Sequence, residues 1–142
     1  DRLVFPFSVY KINNNYYLYK STSENNEYVG LQIVKINGKK INSIVKEIRK
    51  FTHLEGKNET GLNTRFNNFP FYFFIFNQTD KFQIEYIDKN NRKQNKVFKG
   101  ITFETYTKSI AENITPLQTE FITNNLAVLK FHSLNPYRIQ NG

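Results

Sequence analysis

Gly30-Leu31-Gln32-Ile33-Val34-Lys35-Ile36-Asn37-Gly38-Lys39-Lys40-Ile41 is the stretch on which the fold turns. An apolar, β-branched run behind a glycine predicts a strand over residues 31–36, with Leu31, Ile33 and Lys35 on one face and Val34 and Ile36 on the other. Asn37-Gly38 ends it, because both residues tolerate the positive φ that a tight type I′ turn demands. Beyond Ile41 the period changes. Ile44, Val45, Ile48 and Phe51 fall at i, i+1, i+4 and i+7, one stripe of an amphipathic helix, with Lys46, Glu47, Arg49 and Lys50 outside it. Asn42 or Ser43 suits its N-cap, and Arg49 and Lys50 suit the negative end of its dipole.

Upstream, two aromatic and β-branched runs at residues 5–12 and 16–19 flank Asn13-Asn14-Asn15 and read as a hairpin, while residues 21–27 are polar and loop-like. Downstream, Leu62, Phe66, Phe69, Phe73 and Phe76 repeat at spacings of four, three, four and three. That spacing favours a helix started or kinked at Pro70, with a buried strand as the competing reading. Residues 81–87 alternate, Phe82, Ile84 and Tyr86 against Gln83 and Glu85, and residues 96–98 return as a partner strand. A polar connection with some helical character runs to Pro116, and residues 117–134 read as a second hairpin turning at Thr123-Asn124-Asn125.

At 142 residues the chain has the length of about one domain, and its 14 Phe and 9 Tyr must supply most of the burial without Trp or Met. No cysteine is present, which excludes disulfides and thiolate chemistry. His53 and His132 stand alone, no carboxylate spacing suits a cation and no glycine loop cradles a phosphate, so neither metal nor cofactor is expected. No apolar run approaches a membrane span. Net charge is +8, but Lys and Arg are scattered, and the one basic run, residues 89–99, lies where a hairpin tip and its return strand are expected. A solvated hairpin face, and no nucleic-acid partner, is therefore the reading. The start at Asp1 rather than Met fits a mature chain from which a signal segment has gone.

The segment from Gly30 to Ile41 resembles the part of PDZ domains in which a glycine precedes an apolar strand, an Asn-Gly turn and a helix. The order around it is similar to the PDZ-like domain of S41 (tail-specific, or C-terminal processing) serine peptidases: an entry at Phe5-Pro6-Phe7, a loop at Gly56-Lys57-Asn58-Glu59-Thr60, and an aromatic segment at Asn68-Phe69-Pro70-Phe71-Tyr72. Residues 126–134 look like the first strand of the peptidase domain that follows in that family. The resemblance spans roughly residues 4–134 and implies an α+β fold, a PDZ-like partly open barrel or sandwich flanked by two helices. On that reading residues 1–101 form the PDZ-like domain, 102–116 a linker and 117–142 the first strands of a truncated peptidase domain.

PDZ recognition adds an extended peptide to a sheet edge beside a helix. The expected edge is residues 5–10 and the wall the helix, which makes Phe5, Phe7, Val9, Ile44, Ile48 and Phe51 the expected peptide-binding residues. The expected function is to bind unfolded or C-terminal peptide for an adjoining peptidase domain in a periplasmic, extracellular or envelope-attached protein, with no catalytic residue in this chain. Two rivals stand beside it. One is a free-standing basic binding protein for nucleic acid or glycan, and the other a small hydrolase in which Lys130 serves Ser109, within Thr107-Lys108-Ser109-Ile110, as base.

Overall fold

A computed structural model describes residues 2–52, 66–111, 117–123 and 126–131. In chain order it contains β1 (Leu3–Val4), β2 (Val9–Ile12), β3 (Asn15–Leu18), a 3-10 turn (Ser23–Tyr28), β4 (Gln32–Ile36), β5 (Lys39–Lys40) and α1 (Ile41–Thr52). Then follow α2 (Phe69–Phe76), β6 (Lys81–Ile87), β7 (Lys93–Lys99), β8 (Ile101–Thr102), α3 (Phe103–Ala111) and the hairpin β9 (Leu117–Thr123) and β10 (Leu126–Phe131). The main sheet runs β2-β3-β4-β6-β7, every pair antiparallel, with β5 also on β4. It is an open α+β sheet, and the described residues form no closed barrel.

Both tight turns form where Asn occurs. Asn13 takes φ 53° between β2 and β3; between β4 and β5, Asn37 and Gly38 take 50° and 78°, and this second pair has the signs a type I′ turn requires. β4 departs from the simple alternation expected of it. A bulge between Ile33 and Lys35 inserts Val34, so Ile33 pairs with Tyr86 and Lys35 with Glu85. Ile33 and Ile36, three residues apart, are consequently both buried in the core instead of on opposite faces. β6 takes one whole edge of β4; on the other, β3 pairs with Gln32 and Ile33 and β5 with Lys35 and Ile36, leaving a gap at the bulge.

The core lies on one face of the sheet. Ile44, Val45 and Ile48 of α1 pack there with Phe69 and Phe73 of α2 and with Phe82, Ile84 and Phe98. Pro70 sits in the first turn of α2, where its missing N–H costs no hydrogen bond, which settles the helix against the strand reading. Gly100 lies where the chain turns from β7 to β8, and a Cβ there would come within 2.8 Å of Leu3 Cβ, so β1 can reach β8 only past a glycine. Residues 102–111, read from the sequence as part of a polar linker with some helical character, begin with Thr102 paired to Leu3 and continue as α3. Tyr106 of α3 is buried and donates to the Asn67 carbonyl, and burial pushes its phenol well above the usual tyrosine range. The polar stretch is thus tied to the core by one aromatic anchor. Residues 21–27, expected as loop, include most of the 3-10 turn, whose Tyr28 closes the core over Phe98 at 4.9 Å between ring centroids.

Candidate functional site

The six residues expected to read a peptide divide sharply. Phe5, Phe7, Val9, Ile44 and Ile48 are each at most 2% exposed and belong to the single buried core. Phe5 rests on the rings of Phe69, Phe73 and Phe82, with centroids 5.4 to 5.8 Å away, and Phe7 sits edge-on to Phe98 at 5.1 Å. The helix that was to form the far wall packs on β4, β5 and α2. These five side chains seal helix to sheet and present no surface to a ligand. Phe51 alone is exposed, at 58%, and leans on Phe76 at the end of α2.

The sheet ends on one side at β2, which contains Val9 and Tyr10 of the expected edge, and on the opposite side at β7. In the β6–β7 hairpin, Asp88 N–H donates to the Arg92 carbonyl and Gly100 N–H to the Asp80 carbonyl. The hydrogen-bonded pairs are therefore the even-numbered ones, Phe82 with Phe98, Ile84 with Lys96 and Tyr86 with Gln94. The backbone N–H and C=O groups of Lys93, Asn95, Val97 and Lys99 consequently point away from β6. Among the described residues no strand or loop pairs with them. β7 is seven residues long, so this free edge extends for roughly 23 Å.

Two devices hold the edge extended. At the tip, Asp88 Oδ1 accepts from the N–H groups of Asn90 and Arg92 at 2.9 Å each, and Oδ2 from Gln94 Nε2 at 3.0 Å. These bonds, that from Arg92 foremost, hold the carboxyl below the ordinary aspartate value. Along the core face, the Lys96 ammonium lies over the Tyr28 ring at 4.4 Å and the Phe98 ring at 5.4 Å and donates to the Tyr28 hydroxyl, which raises its pKa. On the outer face the edge shows Lys93, Asn95, Val97 and Lys99. Val97 is 57% exposed, and Lys99 stands directly opposite Lys81, a like-charge pair that opposes strand pairing.

This edge falls within the basic run read from the sequence as a solvated face, and the signal that marks it is a strand with lysine at three of its seven positions, a composition typical of edges. Ser109 is in α3, its hydroxyl donating to the Tyr106 carbonyl at 2.7 Å, and Lys130 is in β10, paired with Gln118. His53, the loop at residues 56–60, Leu62, the turn at 124–125 and His132 lie outside the described residues.

Fold and edge together define an α+β fold whose mostly antiparallel sheet, among the described residues, is open at a long basic strand. No family model matches the chain, and no curated protein or solved structure is significantly similar to it.

Proposed function

We propose that the chain is a non-catalytic peptide-binding domain that takes an extended segment as an additional strand along β7, and that it positions that segment for a serine peptidase domain of the same protein. The observation that carries this reading is the row of unpaired backbone groups at Lys93, Asn95, Val97 and Lys99 on a strand already held straight by its neighbour. Main-chain hydrogen bonds to such a row supply affinity, and the alternating side chains supply register. The PDZ-like and S41 setting rests on the order of strand, Asn-Gly turn and helix from Gly30 to Thr52, and places the domain in the cell envelope or outside the cell.

Charge selects the segment. Lysines on an edge discourage neutral and basic strands, and an acidic residue opposite Lys99 would relieve its contact with Lys81. An antiparallel segment with acids opposite Lys99 and Lys93 and a β-branched residue opposite Val97 matches the edge, as in Glu-Thr-Val-Thr-Thr-Thr-Glu. Such ion pairs weaken with salt, yet the order of residues matters, which separates this reading from general anion binding.

Val97→Pro tests it. Proline removes an outward N–H and none of the bonds to β6, because Val97 stands in a non-hydrogen-bonded pair. Fluorescence anisotropy of the labelled peptide should show at least a tenfold loss of affinity, about 1.4 kcal/mol, for a variant that still folds. Unchanged affinity places the peptide elsewhere.

A further inference from the structure

Where β3 and β5 part along β4, a cavity of about 280 Å³ opens and reaches across the sheet to Glu85 of β6 and Lys93 of β7. The bulged residue Val34 lies in its wall, with Asn14 and Asn15 at the β2–β3 turn and Ile41 and Asn42 at the start of α1 alongside. A cavity of this volume suits a small molecule or a single functional group rather than a polymer.

The wall is unbalanced in charge. It contains Lys35, Lys40 and Lys93 against one acid, Glu85. Lys35 Nζ stands 3.3 Å from Glu85 Oε2, so that pair is internally compensated. Lys40 and Lys93 have no ion pair among the described residues, and the side-chain amides of Asn15 and Asn42 have no hydrogen-bond partner there either. Two ammonium groups without an ion pair and two uncommitted amides on residues lining one concavity form a set of donors suited to oxyanions.

We propose that this cleft between β3 and β5 binds a small oxyanion, a phosphate or carboxylate group, through Lys40 and Lys93 with Asn15 and Asn42 as neutral donors. The site goes beyond strand addition at β7 but shares Lys93 with it. Lys93 borders both surfaces, so Lys40, which is remote from the β7 edge in the pairing order, discriminates between them.

The test is a titration of the 15N-labelled chain, at constant ionic strength, with inorganic phosphate in one arm and citrate in the other. Saturable amide shifts at Asn15, Val34, Lys40 and Asn42 are expected with at least one of them, and the arm that saturates names phosphoryl or carboxylate. Lys40→Ala should weaken that binding at least tenfold with an unchanged melting temperature, because the side chain is exposed, and Lys99→Ala should leave it as it was. No saturable shift with either anion in the millimolar range overturns the proposal. So does Lys40→Ala binding as tightly as the unmodified chain.

Discussion

Asn37 and Gln83 hold each other by both their polar ends: the Asn37 N–H donates to the Gln83 carbonyl at 2.8 Å, and Asn37 Oδ1 accepts the Gln83 N–H at the same distance. The β4–β6 ladder is thereby extended one step past the end of β4, at a residue whose φ of 50° already suits asparagine. Asn37→Ala loses the side-chain acceptor and strains the turn, and should cost about 2 kcal/mol. Asn37→Gly loses only the acceptor and should cost about 1 kcal/mol. Urea midpoints at constant m-value measure both.

The bulge at Val34 makes an unusual deletion informative. Without Val34, the pairs Ile33 with Tyr86, Lys35 with Glu85 and Ile36 with Ile84 run uninterrupted, and Ile33, Lys35 and Ile36 alternate inward, outward and inward. The deletion variant should fold, losing about 1–3 kcal/mol, with these cross-strand NOEs intact. It should also lose the gap between β3 and β5, and with it any anion binding there.

That bulge is also where sequence reading falls short. An inserted residue leaves composition and apolar content unchanged, so residues 31–36 read as a regular strand with Ile33 and Ile36 on opposite faces. Helix α1 was legible because Ile44, Val45 and Ile48 form a local stripe, yet Phe51 at the end of the same stripe is exposed, since burial at a helix end depends on what lies opposite. Phe5, Phe7, Val9, Ile44 and Ile48, read from the sequence as groove residues, are buried in the core for a related reason. Which side chains face inward is decided by long-range packing, and apolar residues suited to a groove are equally suited to the core. Lysines in β7 were the local clue to an edge.

Core and surface separate cleanly within α2. Phe73 is buried and stacked on Phe69 at 5.6 Å, so Phe73→Ala should cost about 3–5 kcal/mol. Phe71 and Ile75 are about half exposed, at 48% and 47%, and replacing either by Ser should change stability by less than about 1 kcal/mol while improving solubility. Thermal melts and light scattering distinguish the two outcomes.

Acid should loosen the β6–β7 tip first. The Asp88 carboxyl is held below the ordinary aspartate value, chiefly by the Arg92 N–H and then by Gln94. Its contribution is fully present above the unfolded value and disappears as pH falls through the folded one. A carboxyl 13C titration should give a midpoint below 3.8, and Asp88→Asn should remove the acid-dependent exchange of the Asn90 and Arg92 amides.

Strand addition at β7 makes its sharpest claim about four amides. In the free chain the N–H groups of Lys93, Asn95, Val97 and Lys99 should exchange with solvent far faster than those of Gln94, Lys96 and Phe98, which bond to β6. With saturating Glu-Thr-Val-Thr-Thr-Thr-Glu, hydrogen exchange followed by NMR should show all four becoming protected while the alternate amides stay as they were. Protection that falls instead on β2, or a bound peptide that leaves these four amides exchanging as before, contradicts the account.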